Sequence, residues 1–268
     1  MSEMRGKTLV ITGATKGIGK AIGEKFAKQG VNVAFTYNSN KDVAYDIAKE
    51  WEETYGIKAK AYPLNILETD EFKPLFESID KDFDRVDFFV SNAMIYGRPV
   101  VGGYGKFMRL KPRGLNNIYT ATVNAFVVGT QEAAKRMEKV GGGSVVTMSS
   151  TGNLVYIDNY AGHGTNKAAV EAMSRYAATE LGEMNIRVNA VSGGPIDTDA
   201  LKAFTNYEEV KAETVKRSAL NKMGQPEDIA GAVYFLCSDE ASLDAKYPQY
   251  SCAYQAFLST TYVLIACR

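Results

Sequence analysis

Residues 12–19 read Thr-Gly-Ala-Thr-Lys-Gly-Ile-Gly and indicate the fold class. They follow a β-rich run and open a segment with Ile18, Ile22 and Phe26 at helical spacing. A glycine-rich turn between a strand and a helix lets a pyrophosphate approach backbone N–H groups at the positive end of the helix. Glycines also make ordinary turns, but this position favours nucleotide binding. The loop therefore predicts dinucleotide contacts from Gly13, Thr15, Lys16, Gly17, Ile18 and Gly19.

Strand-like runs alternate with amphipathic segments over most of the chain. Several runs are apolar without alternation, as expected of strands buried on both faces. The pattern predicts an α/β fold with a single Rossmann-type doubly wound parallel sheet flanked by helices. No linker, repeat or low-complexity tract interrupts it, so we expect one domain over residues 1–268. The six predicted strands are residues 8–12, 31–36, 59–64, 86–91, 144–149 and 186–191.

The end of the chain has a different composition. No glycine follows Gly231, and from residue 242 charged residues become sparse while Tyr, Ser, Ala and Cys accumulate. Residues 260–265 are β-rich, which predicts a final edge strand. We treat residues 242–268 as an atypical tail of the domain.

Charge and residue usage exclude several function classes. Lysine plus arginine and aspartate plus glutamate each total 31, so no net field attracts nucleic acid or an anionic membrane. No run approaches the ~18 apolar residues of a membrane span, and residues 1–7 lack the apolar core of a secretory signal, which predicts a cytoplasmic protein. Three cysteines without Cys-x-x-Cys spacing and the single histidine, His163, predict no metal site.

The choice of nicotinamide cofactor is read at the end of the second predicted strand. An acidic residue there would bind the ribose 2′-hydroxyl of NAD, but residues 35–39 read Phe-Thr-Tyr-Asn-Ser. Lys16 and Lys41 are placed to neutralise a 2′-phosphate, although Asp42 would cancel part of that charge. We therefore expect NADPH.

Further motifs resemble, in order and spacing, those of the short-chain dehydrogenase/reductase family over roughly residues 5–240. Commoner members of that family carry Tyr-x-x-x-Lys, whereas this chain has His163 four residues before Lys167. The motifs are the glycine loop, Ser-Asn-Ala at 91–93, Asn124, Ser-Ser at 149–150 and Gly-Pro-Ile-Asp-Thr at 194–198.

Tyr160 stands seven residues before Lys167, a spacing similar to that of the enoyl-acyl carrier protein reductase branch. Ser150, ten residues before Tyr160, fits type III of that branch, since type I enzymes have a tyrosine there. The resemblance implies NADPH-dependent reduction of the trans-2 double bond of enoyl-acyl carrier protein thioesters in fatty acid synthesis. It also implies a homotetramer or homodimer, and a substrate lid over about residues 199–223.

The resemblance also implies the roles of individual residues. Tyr160 would donate to the thioester oxygen, Lys167 would bind the nicotinamide ribose, and Ser150 completes the catalytic set. An enoyl oxygen lies two bonds beyond the carbon that accepts hydride, so a displaced tyrosine fits this longer acceptor. Asn124 and Asn92 would line the cofactor or relay water, and Gly193 would let backbone approach the nicotinamide. Cofactor contacts are further implied for Asn65, Ile66, Asn92, Ala93, Lys167, Gly194, Ile196 and Thr198.

Other interpretations remain open from the sequence. A ketoreductase or hydroxysteroid-type dehydrogenase would use Ser150 with Tyr160 or His163, and Tyr156 is a second candidate donor. A non-catalytic NADPH-binding sensor is also compatible with the missing Tyr-x-x-x-Lys. A basic run would either dock an acidic carrier protein or form a solvated face. This run comprises Lys106, Arg109, Lys111 and Arg113.

Overall fold

A computed structural model describes residues 4–202 and 207–241 and the backbone of 253–258 and 261–266. Six parallel strands of its sheet lie in the order β3-β2-β1-β4-β5-β6. This confirms the predicted Rossmann-type sheet. The parallel strands are β1 (Thr8–Ile11), β2 (Asn32–Tyr37), β3 (Ala59–Pro63), β4 (Phe88–Ser91), β5 (Gly143–Ser150) and β6 (Ile186–Gly193).

Helices cover both faces of the sheet. One core contains Ile22 and Phe26 of α1, Trp51 of α2 and the buried face of α9. The core on the other face contains Phe72 and Phe76 of α3 with parts of α5 and α6. The helices are α1 (Gly17–Ala27), α2 (Lys41–Tyr55), α3 (Phe72–Asp82), α4 (Pro112–Tyr119), α5 (Ala125–Met137), α6 (Ala161–Leu181), α7 (Asp199–Lys202), α8 (Tyr207–Arg217) and α9 (Pro226–Cys237).

Local sequence signals explain where these elements begin and end. Each predicted parallel strand agrees with an observed one to within two residues. Helix α9 opens with Pro226 in its first turn, and Gln225 and Asp228 form a capping box that satisfies two free N–H groups. No helix in the described ranges is long and apolar enough to cross a membrane.

The tail extends the sheet by an antiparallel pair. Strand β8 (Thr261–Ala266) pairs with β6, and β7 (Ala253–Leu258) pairs with the other side of β8. Residues 261–265 of the β-rich run therefore belong to a strand, but the prediction that the run forms the edge was wrong, because β7 occupies that place. Residues 242–252, 259–260 and 267–268 lie outside the described part of the chain.

Candidate active site

The glycine loop leaves space for a phosphate because its backbone adopts conformations that side chains disfavour. Gly13 and Gly17 have φ angles of +71° and +54°. A Cβ on Gly19 would lie 2.0 Å from the Gly13 carbonyl oxygen, so only glycine fits. Helix α1 begins at Gly17, which places its positive end at the loop.

Asn92, at the carboxyl end of β4, fixes the shape of this loop. Its Nδ2 donates to the carbonyl oxygens of Thr12 and Gly13 at 3.0 and 2.8 Å. The backbone N–H groups of Asn92 and Ala93 both donate to Thr12 Oγ1 at 3.0 Å. The loop is therefore held by hydrogen bonds to a neighbouring strand before any ligand binds.

A cleft of about 490 Å³ opens over the loop, within the usual size range of small-molecule sites. The missing Cβ atoms, the helix terminus and this volume fit a dinucleotide. The described residues around the cleft do not include Lys167, Gly194 or Ile196, and the side chain of Ile196 is part of the apolar core. The predicted cofactor residues that line it are Gly13, Thr15, Lys16, Gly17, Ile18, Gly19, Asn65, Ile66, Asn92, Ala93 and Thr198.

The adenosine end of the cleft lies at the tip of β2, where residues 37–40 line it. None of these four residues is acidic. Lys16 is exposed at this cleft, with its Nζ 5.5 Å from the Tyr96 ring centroid. Lys41 instead stacks on Tyr45 at 5.4 Å, and neither it nor Asp42 lines the cleft.

The proposed donor and its partner lie on different elements. Ser150 ends β5 and Tyr160 immediately precedes α6, yet Ser150 Oγ and Tyr160 Oη are 3.2 Å apart. The Tyr160 ring packs against Gly152, where a Cβ would lie 2.5 Å from Tyr160 Cδ1. Burial raises the pKa of Tyr160, although the Ser150 hydrogen bond opposes this. The phenol is therefore protonated at neutral pH and able to donate.

Lys167 lies fully inside the protein, two turns into α6. Its Nζ donates to the Met148 carbonyl oxygen at 2.7 Å. Burial lowers the pKa of Lys167 to about 8, while the charge of Glu171 opposes this. The Glu171 carboxylate accepts a hydrogen bond from Ser149, beside Ser150. Lys167 is thus still largely cationic at neutral pH.

His163 forms a pair with Tyr104, a residue that the sequence did not single out. Tyr104 Oη lies 3.0 Å from His163 Nδ1, and the two rings stack at 5.8 Å. The Tyr160 ring meets His163 edge-on at 4.8 Å. Burial, and then the charge of Lys167, lower the pKa of His163 to about 3. His163 is thus a neutral packing partner of Tyr160, and no proton donor near pH 7.

The remaining predicted residues lie further from this group. Tyr156 is 84% exposed and donates to Asp158 at 2.8 Å, which argues against its role as a second donor. Asn124 is exposed at the end of a π-helical turn, Thr120–Asn124, between α4 and α5. The segment predicted as a lid lies between Ile196 and Gly224, which pair as an isolated β-bridge outside the sheet. Its described part contains α7 and α8.

A family model described as Enoyl-(Acyl carrier protein) reductase matches residues 13–243. The chain belongs to the short-chain dehydrogenase/reductase family. It is 33% identical to 1-cyclohexenylcarbonyl-CoA reductase of Streptomyces collinus, over 88% of this chain and 82% of the relative. It is also 33% identical to a 3-oxoacyl-[acyl-carrier-protein] reductase of Aquifex aeolicus, over 90% of this chain and 93% of the relative.

Solved structures agree with this membership and with a nicotinamide cofactor. This dehydrogenase/reductase superposes on a 7 alpha-hydroxysteroid dehydrogenase complexed with NADH and 7-oxo glycochenodeoxycholic acid, with a TM-score of 0.81. The identity is 34%, and 89% of each chain is covered. A short-chain dehydrogenase of Burkholderia cenocepacia in complex with NADP gives a TM-score of 0.79 at 25% identity, covering 91% of this chain and 95% of the other. The protein is an NAD(P)-dependent oxidoreductase.

Proposed function

We propose that this dehydrogenase/reductase uses NADPH to reduce the trans-2 double bond of enoyl-acyl carrier protein thioesters in cytoplasmic fatty acid synthesis. One observation carries the proposal. The buried phenol beside the Ser150 hydroxyl is Tyr160, seven residues before Lys167. The position four residues before Lys167, where a ketone reductase of this family has its tyrosine, holds the neutral His163.

The reaction requires a donor at the carbonyl oxygen of the thioester. When bound, NADPH supplies a hydride to the β-carbon, and the conjugated system then places negative charge on that oxygen. The Tyr160 O–H is protonated and buried, so its hydrogen bond to the developing oxyanion acts in a low-dielectric site. A proton from water is then added at the α-carbon, so the substrate gains one hydride and one proton and Tyr160 keeps its own proton.

Lys167 and Ser150 support the donor. Burial, and then the charge of the Lys167 ammonium, lower the pKa of His163, so the imidazole that packs against Tyr160 stays neutral. The Lys167 Nζ donates to the Met148 carbonyl oxygen and has two further hydrogens to donate, which would reach the ribose hydroxyls only if a bound cofactor extends beyond the residues that line the cleft. Ser150 Oγ accepts from or donates to Tyr160 Oη and so fixes the direction of the phenolic hydrogen.

Two comparisons support an enoyl rather than a keto substrate. The matching family model is described as an enoyl-(acyl carrier protein) reductase. The Streptomyces collinus relative is named for 1-cyclohexenylcarbonyl-CoA, in which a ring double bond is conjugated to a thioester carbonyl. Both names describe the reduction of a carbon–carbon double bond next to a thioester.

Lys16 supports NADPH over NADH. No acid lies among residues 37–40 at the tip of β2, so a 2′-phosphate meets no opposing carboxylate there. Lys16 is exposed at the same cleft and able to turn toward such a phosphate. Lys41 does not support this preference, because it does not line the cleft.

A ketoreductase is the second candidate. The Ser150–Tyr160 hydroxyl pair, with 3.2 Å between its oxygens, would also bind a ketone oxygen. The Aquifex aeolicus relative is named as a 3-oxoacyl reductase, and the Escherichia coli relative, 34% identical, as a 7alpha-hydroxysteroid dehydrogenase. In those enzyme classes the oxygen is bonded directly to the carbon that accepts hydride, so the donor must lie closer to the nicotinamide.

An assay of purified protein separates the candidates. NADPH consumption is followed with a crotonyl thioester, a 3-oxoacyl thioester and a panel of ketones, each at the same concentration. Our proposal requires the crotonyl thioester to be reduced with the highest kcat/KM. A higher value for a ketone would establish the second candidate. NADPH binding without turnover of any substrate would identify a non-catalytic sensor instead.

A further inference from the structure

The loop between β4 and α4 carries an unusual concentration of positive charge. Residues 88–131 contain no aspartate or glutamate, although acidic and basic residues are equally frequent in the whole chain. This stretch contains Arg98, Lys106, Arg109, Lys111 and Arg113. Lys106 is paired with Asp158, while no ion pair involves the other four among the described residues.

Large apolar side chains lie exposed among these charges. Phe107 is 80% and Met108 91% exposed, and Val101 and Tyr156 are also exposed. Single exposed apolar residues are common, but Phe107 and Met108 are neighbours in a stretch that has basic and no acidic residues, and such a group is typical of an interaction site. We call this group, together with Arg109, Lys111 and Arg113, the basic–apolar surface.

The surface has a fixed shape. The N–H of Gly105 donates to the Asn159 carbonyl oxygen at 2.9 Å, and the Lys106–Asp158 ion pair joins the loop to the segment before α6. The N–H of Lys111 donates to the Gly102 carbonyl oxygen at 2.8 Å and closes the loop at its other end. A partner would therefore bind a preformed surface with a small ordering cost.

The same loop connects the surface to the catalytic group. In the sequence Tyr104 stands between Val101 and Phe107. Its hydroxyl is 3.0 Å from His163 Nδ1. The Tyr104 ring centroid is 6.1 Å from that of Tyr160. Earlier in the loop, Tyr96 and Pro99 line the nucleotide cleft. A partner bound to the surface would thus lie immediately outside the site at which its thioester reacts.

We propose that the basic–apolar surface docks the acidic carrier protein that bears the thioester. This role rests on the proposed function and specifies its binding partner. Acidic side chains of the carrier would face Arg109, Lys111 and Arg113, and an apolar patch would cover Phe107 and Met108. A second copy of this chain is a poorer occupant, because a two-fold contact would bring the same positive charges against each other.

Two variants test the docking surface in the full-length protein. The first combines Arg109→Glu, Lys111→Glu and Arg113→Glu, and the second combines Phe107→Ser with Met108→Ser. A matched control reverses three exposed lysines elsewhere, Lys73→Glu, Lys81→Glu and Lys139→Glu, which gives the same change in net charge. None of these residues belongs to the catalytic group or lines the nucleotide cleft.

The measurements are kcat/KM for crotonyl-carrier protein and for crotonyl-CoA, and the affinity for carrier protein without an acyl group. We expect both surface variants to lose at least about tenfold with the carrier thioester and in carrier affinity, and about twofold or less with the CoA thioester. The control should keep wild-type values. Raising the salt concentration should weaken carrier binding by the wild type more than by the charge-reversal variant.

Three outcomes overturn the docking surface. Unchanged carrier kinetics in both variants, an equal loss with both thioesters while NADPH binding is intact, or a changed oligomeric state would each do so. If the charge-reversal variant does not fold, the Phe107/Met108 variant decides. Carrier binding by a wild type that reduces no enoyl thioester would leave the surface standing and refute the proposed function. Reduction of crotonyl-CoA without carrier binding would refute the docking surface and leave only the enoyl-thioester chemistry of the proposed function.

Discussion

Replacing Tyr160 with phenylalanine is the most direct test of the proposed chemistry. The change removes one hydroxyl and leaves the ring, which contacts Gly152 and meets His163 edge-on at 4.8 Å. In the free enzyme it breaks one hydrogen bond, the 3.2 Å contact with Ser150 Oγ. We therefore expect the free energy of unfolding to fall by only about 1–3 kcal/mol, the cost of leaving one buried hydroxyl unpaired.

The effect on turnover should be much larger than the effect on stability. In the transition state the Tyr160 hydroxyl faces the negative charge that develops on the thioester oxygen. In a buried site one such hydrogen-bond donor is worth several kcal/mol. We expect kcat for a crotonyl thioester to fall by ~10²–10⁴, with the Kd for NADPH changed by less than about threefold. This difference separates a lost donor from a damaged fold.

Tyr156→Phe provides a matched control. Tyr156 also donates one hydrogen bond, to Asp158, but it lies exposed at the surface. Its substitution should leave kcat for crotonyl-CoA within about twofold of the wild type. NADPH oxidation and thermal denaturation are measured for both variants. The reasoning is refuted if Tyr160→Phe keeps most of the wild-type turnover, or if His163→Gln abolishes turnover while Tyr160→Phe does not.

Three further predictions concern pH, cofactor choice and the tail. Lys167 is charged below its pKa of about 8, so kcat/KM should decline above that pH. His163 has a pKa of about 3 and should give no break in the pH profile between pH 5 and 7.5. A break near pH 6.5 that His163→Gln removes would contradict this. Lys16→Ala should weaken NADPH binding by roughly ten- to a hundredfold, because a charge-assisted contact with the 2′-phosphate is worth ~1.5–3 kcal/mol. NADH binding should stay nearly unchanged. Both affinities are measured by titration, and equal losses would count against Lys16. Truncation after Leu258 removes β8 and exposes the edge of β6, so the melting temperature should fall or the protein should aggregate. An unchanged melting temperature and oligomeric state would show that β8 is dispensable.

Sequence patterns determined the layered fold and the main parts of the site. Strands buried on both faces produce continuous apolar runs, and amphipathic helices produce a period near 3.6, so both can be read within about ten residues. The glycine loop was equally readable, because its backbone conformation depends on the glycines themselves. Tyr160 and Lys167 were singled out because their spacing resembles that of the enoyl reductase branch, and their catalytic roles stay predictions.

Tertiary structure alone decided which side chains meet across elements. The pairing of Tyr104 with His163 joins residues 59 positions apart, and no local pattern reports such a contact. Burial of His163 beside Lys167 set its neutral state, because desolvation depends on every element packed around the ring. Lys16 and Lys41 were equivalent candidates in the sequence and each lies over a tyrosine ring, and only the position of the cleft separated them. The inner place of β8 depended on β7, because strand order is a property of long-range pairing that each strand's own sequence leaves open.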